Sequence, residues 1–132
     1  MLDCLELAHL GGTGGGMAVQ PAIAEDWEKV TGKPIVQGYG LTETSPIATA
    51  NLFRNGFNGS IGLPVPGTDI MIADDDGNPL PLGEIGEICV KGPQVMEGYW
   101  RRPQETADVM LPGGWLKTGD VGRMDEDGFT YI

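Results

Sequence analysis

Nine consecutive residues, Gln37-Gly38-Tyr39-Gly40-Leu41-Thr42-Glu43-Thr44-Ser45, combine an aromatic ring, two glycines, several hydroxyls and one carboxylate. A core strand would alternate apolar and polar residues, and this stretch does not. The mixture suits a site that stacks a flat base, hydrogen-bonds a phosphate and holds a divalent cation. A second polar stretch, Trp115-Leu116-Lys117-Thr118-Gly119-Asp120, also ends in a carboxylate. Each has a plain reading beside the chemical one. Thr42 can cap a helix whose dipole Glu43 complements, and Asp120 can be a turn residue after Gly119. The run Gly11-Gly12-Thr13-Gly14-Gly15-Gly16 is a third candidate. A P-loop is excluded because no lysine follows Gly16, and a dinucleotide fingerprint starting at Gly12 would need glycine where Met17 stands. What remains is either backbone that a ligand can approach closely or a bare flexible loop.

The elements that must position these residues can be read from periodicity. Val19, Ile23, Trp27 and Val30 recur at steps of four, four and three, one apolar face of a helix over 19–31. Pro21 suits its first turn, Lys29 its negative end, and Gly32 its left-handed stop. That face should bury Trp27 against a sheet. Ile35 to Tyr39 reads as a strand leading into the first motif, which gives a helix–strand α/β unit. The glycine run before the helix reads as a loop. The short apolar run Leu2 to Leu10 reads equally as a strand or a frayed edge. From residue 60 the chain changes to short strands: 69–73, 86–91, 116–118, 121–124 and 129–132. Turn signals at Asp76-Gly77-Asn78-Pro79 and Asp127-Gly128 separate them, and a brief helix is expected over 103–110. The fold class is therefore mixed α/β: an α/β portion over 1–58, then a mostly antiparallel, barrel-like β region over 59–132.

Composition limits the partners. The net charge of −11 and pI near 4.2 argue against nucleic acid. The 22 glycines and 10 prolines show no period and alternate with aliphatic segments, so they signal tight turns rather than disorder. Cys4 and Cys89 fit neither a disulfide framework nor metal-ligand spacing, which points to a reducing cytoplasm. No apolar run approaches the roughly twenty residues of a membrane-spanning helix. An EF-hand fitted to Asp74-x-Asp76-Gly77 would put Ile72 and Gly83 at ligand positions, so calcium is not expected there. His9, the lone histidine, reads as structural.

With these motifs in view, the chain resembles the ATP-dependent adenylate-forming enzymes, a superfamily of acyl-CoA synthetases, luciferases and peptide-synthetase adenylation domains. Gly38-Tyr39-Gly40-Leu41-Thr42-Glu43-Thr44 and Thr118-Gly119-Asp120 carry the likeness. Gly14-Gly15-Gly16-Met17, Gly59 to Gly67, Gly83 to Glu87 and Lys91 to Trp100 extend it. The Gly-Tyr-Trp-x-Arg-Pro-x-x-Thr wording leans toward bacterial long-chain fatty-acid–CoA ligases. The resemblance implies an acetyl-CoA synthetase-like fold and a parent enzyme that couples ATP to a carboxylate, then passes the acyl group to coenzyme A. It implies that Gly15, Gly16 and Tyr39 contact the adenine of ATP, that Gly40 belongs to the cofactor site where, with Leu41, it borders the acyl carbonyl, and that Thr42 meets the α-phosphate. Glu43 would hold Mg²⁺, with Thr42 and Glu43 acting in catalysis, and Asp120 would accept both ribose hydroxyls. Tyr39 and Asp120 must then open onto one face.

The family's phosphate loop and its C-terminal catalytic lysine are not among these residues, so the 132-residue chain is expected to be an inactive piece of the large N-terminal domain. The parent would be cytoplasmic, with small-molecule substrates, no transmembrane segment and at most peripheral membrane contact. The piece itself could dimerise through truncated surfaces. An aryl-CoA ligase, a peptide-synthetase adenylation domain or a non-enzymatic acidic β-rich binding module are the alternatives.

Overall fold

The four-four-three spacing does become a helix, but the face it presents is not the one expected. The computed structural model describes residues 12–14, 18–52, 54 and 56–132. In it, α1 runs Pro21–Thr31, with Pro21 in the first turn and Gly32 closing the end at φ +65°. The Gly32 N–H donates to the Glu28 carbonyl at 2.8 Å, satisfying an acceptor that the helix end leaves open. Ala24 is buried, yet Ile23 is 59% and Val30 85% exposed. Trp27 is only half-buried, and its indole Nε1 is enclosed without an acceptor among the described residues. The expected burial of this stripe is therefore corrected. The pattern is amphipathic, but the described residues do not supply the surface that would cover it.

The glycine run also differs from expectation. Gly12–Gly14 forms strand β1, parallel to β2 (Ile35–Tyr39), with Gly12 opposite Ile35 and Gly14 opposite Gln37. Strand pairing uses only backbone N–H and C=O groups, so a segment poor in side chains can join a parallel neighbour. Leu2 to Leu10, including Cys4 and His9, and also Gly15 and Gly16, lie outside the described residues.

β3 (Thr49–Ala50) and β4 (Leu63–Pro64) extend this sheet antiparallel, in the order β1-β2-β3-β4. The second sheet is antiparallel throughout. It contains β5 (Asp69–Ala73), β6 (Gly86–Lys91), β7 (Met110–Leu111), β8 (Trp115–Met124) and β9 (Thr130–Tyr131), with helix α2 (Pro103–Val109) leading into β7. Its order is β5-β6-β8-β7, with β9 on the other side of part of β8, and it curls into a half-barrel. The mixed α/β class with an antiparallel β region holds. The two strands expected at 116–118 and 121–124 are one strand, β8.

Both acidic runs are turns. The Asp74 carboxylate accepts from the N–H groups of Asp76 and Asn78 at 3.0 and 2.8 Å, and these bonds hold its carboxyl below the usual carboxylate range. The Asp125 carboxylate accepts from the N–H groups of Asp127 and Phe129 at 3.1 and 2.9 Å.

The two sheets meet where the Ile61 N–H donates to the Thr130 carbonyl at 2.8 Å and the Thr130 N–H to that of Gly62 at 3.1 Å. Gly62 sits at φ +103°, and a Cβ there would lie 2.1 Å from the Ala50 backbone, so only glycine fits. Ala48 and Ile61 pack here against Ile72, Ile88 and Val90 of the second sheet, with Tyr39 and Met124 laid on the cluster. Burying each large aliphatic contributes about 1.5–3 kcal/mol. Cys89 is fully buried beside them, and burial pushes its thiol up to about 11, which keeps it protonated and unreactive at neutral pH.

Candidate functional site

Tyr39 ends β2, and the chain leaves the sheet through Gly40 and Leu41 into a 3-10 turn, Thr42–Thr44. A Cβ on Gly40 would lie 1.7 Å from the Pro46 carbonyl oxygen, so the backbone folds back on itself only over a residue with no side chain. The fully buried Thr44 hydroxyl closes the turn. It accepts from the Leu41 N–H at 2.9 Å and faces the carbonyls of Leu41 and Pro46 at 3.0 and 2.9 Å. The reading of Thr42 as the cap is corrected: Leu41 holds that position and Thr44 supplies the hydroxyl. Thr42 is left exposed.

Glu43, in the same turn, is tied into the second half of the chain. Its backbone carbonyl accepts from the Met96 N–H at 2.8 Å, and its Oε1 accepts from the Tyr99 hydroxyl at 2.8 Å. The bond to the carboxylate raises the Tyr99 phenol above its ordinary range, because deprotonation would set two negative charges together. Sequence reasoning missed this partner. The only signal was the place of Tyr99 within Lys91 to Trp100, a stretch that extends the family likeness without naming a role for the ring.

Asp120 reaches the site through a break in the β6–β8 ladder. Glu87 pairs with Val121 and Cys89 with Lys117, so β8 spends four steps where β6 spends two. Thr118, Gly119 and Asp120 therefore bulge out opposite Ile88 alone. The Thr118 hydroxyl donates to the Ile88 carbonyl at 2.8 Å, Gly119 turns at φ +78°, and the Asp120 N–H donates to Thr118 Oγ1 at 3.2 Å. Bulges of this kind re-aim a side chain without ending the strand. Here the carboxylate is carried to β2, where the Tyr39 hydroxyl donates to Asp120 Oδ2 at 2.6 Å across 81 positions of sequence. Burial, and then this bond, push the Tyr39 phenol far above its usual range, so it remains a donor at any physiological pH. An ionised carboxylate has about four acceptor positions, so Asp120 can accept further hydrogen bonds.

Tyr39, Gly40, Glu43 and Asp120 fall into two neighbouring cavities, and Thr42 borders neither. Gly38, Tyr39, Gly40, Leu41, Ile61 and Asp120 bound one of about 230 Å³. Glu43, Tyr99, Lys117 and Thr118 bound another of about 240 Å³, and Leu41 borders both. Each is below the usual volume for a drug-sized ligand, so each would hold one part of an elongated molecule. Tyr39, Gly40 and Asp120 are thus together, Glu43 is next door, and Gly15 and Gly16 lie outside the described residues.

Comparison with known proteins places the chain in a family. The family model described as AMP-binding enzyme matches residues 3–100. A long-chain-fatty-acid–CoA ligase of Yersinia pestis is 59% identical, covering 100% of this chain and 25% of its own length. One from Escherichia coli O6:H1 is 53% identical, covering 94% and 22%. The crystal structure of ATP-bound MatB from Rhodopseudomonas palustris superposes with a TM-score of 0.84 at 36% identity, covering 91% of this chain and 24% of that one. The chain thus spans about a quarter of the length of the relatives it matches. With most of its residues matched by the family model and a fold shared with these enzymes, the chain belongs to the AMP-binding enzyme family.

Proposed function

We propose that this chain forms part of the nucleotide site of an ATP-dependent long-chain fatty-acid–CoA ligase. Such an enzyme joins a carboxylate to the α-phosphate of ATP, releases pyrophosphate, and passes the acyl group from acyl-AMP to the thiol of coenzyme A. The names of the ligase relatives support the substrate class, and the contact between Tyr39 and Asp120 carries the site reading. Two motifs separated by 81 positions share one cavity wall, as a single nucleoside would require.

In this reading Tyr39 offers its ring to adenine, Gly15 and Gly16 let backbone approach the base, and Gly40 borders the acyl carbonyl. Asp120 accepts from the ribose hydroxyls, and Thr42 donates to the α-phosphate. The donor set also fits Mg²⁺. Among the described residues no group of three His, Cys, Asp or Glu side chains converges. A single carboxylate, Glu43, is the usual protein share of a Mg²⁺ ion whose other ligands are water and substrate phosphates. Bound there, the ion would neutralise charge developing on the departing pyrophosphate. The residues themselves orient the nucleotide and place charge, which is most of what phosphoryl chemistry asks of a protein.

We assign residues 1–58 and 59–132 to two portions of one AMP-binding domain. The same reading gives a cytoplasmic enzyme of lipid metabolism, with peripheral membrane contact at most, and a segment able to dimerise through surfaces that the rest of the ligase would cover. No helix among the described residues is long and apolar enough to cross a membrane.

The test is made in the complete ligase. Asp120→Ala should weaken ATP binding by about 1.5–3 kcal/mol, the worth of hydrogen bonds to a charged group. Tyr39→Ala should cost about 1–3 kcal/mol through lost stacking. Glu43→Gln should act on kcat more than on ATP binding. Unchanged ATP affinity in both the Asp120 and Tyr39 variants would sink the reading.

A further inference from the structure

The bulge that delivers Asp120 leaves backbone donors without ladder partners. Against Thr118, Gly119 and Asp120, β6 offers only Ile88, whose carbonyl is already engaged by the Thr118 hydroxyl. The Gly119 N–H turns instead to a side chain: it donates to Glu87 Oε1 at 2.9 Å. The other oxygen of the same carboxylate, Oε2, lies 3.1 Å from Lys117 Nζ. Both side chains are partly covered, Glu87 at 21% and Lys117 at 28% exposure. One carboxylate thus spans two residues of β8, holding Lys117 just before the bulge and Gly119 at its tip. The bond to Glu87 also raises the Lys117 ammonium above its ordinary range.

An ion pair this close to solvent adds little stability of its own. What it fixes is geometry. Gly119, with no side chain and a left-handed φ, is the residue of the bulge best able to change conformation. Freed at its amide, it would let Asp120 swing away from Tyr39. We propose that Glu87 is a positioning residue for nucleotide binding: it grips the Gly119 amide so that Asp120 faces the Tyr39 cavity, and Lys117 holds the Glu87 carboxylate in place. This rests on the reading of Asp120 as the ribose acceptor.

The experiment compares steady-state kinetics of the complete ligase carrying Glu87→Ala, Glu87→Met, Glu87→Gln, Lys117→Met and Asp120→Asn. Glu87→Met fills the space of the native side chain without an acceptor, so it serves even where Glu87→Ala unfolds the sheet. Glu87→Ala and Glu87→Met should raise KM for ATP about tenfold with kcat within about threefold, as expected when an orienting hydrogen bond is lost. Glu87→Gln keeps a carbonyl oxygen for the Gly119 N–H and should return KM to within about threefold of the parent. Lys117→Met loosens the carboxylate that the ammonium holds and should raise KM about two- to fivefold, the worth of one partly exposed ion pair. Adding Glu87→Met to Asp120→Asn should raise KM no further, because the first acts only through the second. A normal KM in Glu87→Met beside a raised KM in Asp120→Asn overturns the clamp and leaves the ribose reading standing. A normal KM in Asp120→Asn overturns that reading and the clamp with it. Full additivity in the double variant shows that Glu87 acts elsewhere and overturns the clamp alone.

Discussion

Helix α1 and strand β6 both carry apolar residues at the spacing their secondary structure requires, yet only one of them is core. In β6 the consecutive residues Ile88, Cys89 and Val90 are all completely buried, since β5 and β8 flank the strand and both faces are covered. In α1 only Ala24 is buried, while Ile23 and Val30 stand in solvent. Periodicity tells which residues share a face. It does not tell whether the surface that covers the face belongs to the same stretch of chain. The β-rich part carries its own partners, and α1 does not find them among the described residues.

The contrast can be broken most decisively in β6. Ile88→Ala should lower the unfolding free energy by about 2–5 kcal/mol, measured by chemical denaturation, because a fully enclosed side chain leaves a cavity. A loss below about 1 kcal/mol would mean that this core is not the stabilising centre of the chain. An intermediate effect is expected at the junction of the two regions. Gly40→Ala should cost about 1–3 kcal/mol, since its Cβ would press on the Pro46 carbonyl and the backbone must shift. The amide signals of Leu41 to Thr44 should move with it, and unchanged signals would contradict the close approach described. The smallest effect belongs to α1: Val30→Ser should change stability by no more than about 0.5 kcal/mol. A larger loss in the isolated chain would show that a second surface, such as another copy, covers the helix.

Much of the fold was legible because local rules and tertiary structure agree. Pro21 and Gly32 bracket α1, and the strands at 69–73 and 86–91 form where apolar residues between turn signals put them. Where the sequence misled, a non-local partner decided the outcome. Gly12–Gly14 is a strand because β2 lies alongside it, and the interruption between Thr118 and Val121 is a bulge because β6 continues past it. The site was legible in a different way. Residue types alone left Thr42, Glu43 and Asp120 open to capping and turn roles, and the family resemblance, not spacing, joined Tyr39 to Asp120. Tyr99 and Glu87 went unnoticed. Each acts through one hydrogen bond to a distant residue, Glu43 at 2.8 Å and Gly119 at 2.9 Å, and nothing in local pattern announces such a bond.

The bulge in β8 has a consequence for how this segment can vary through descent. Its surplus over β6 is even, four steps against two, and side chains alternate along a strand. Leu116 before the bulge and Gly122 after it consequently point to the same buried side. Excising two residues would mend the ladder, discard the acid and leave every downstream side chain on its present face. Excising one would turn residues 121–124 inside out. Length change is therefore tolerable here only in pairs, which lets heredity delete the chemistry while keeping the sheet.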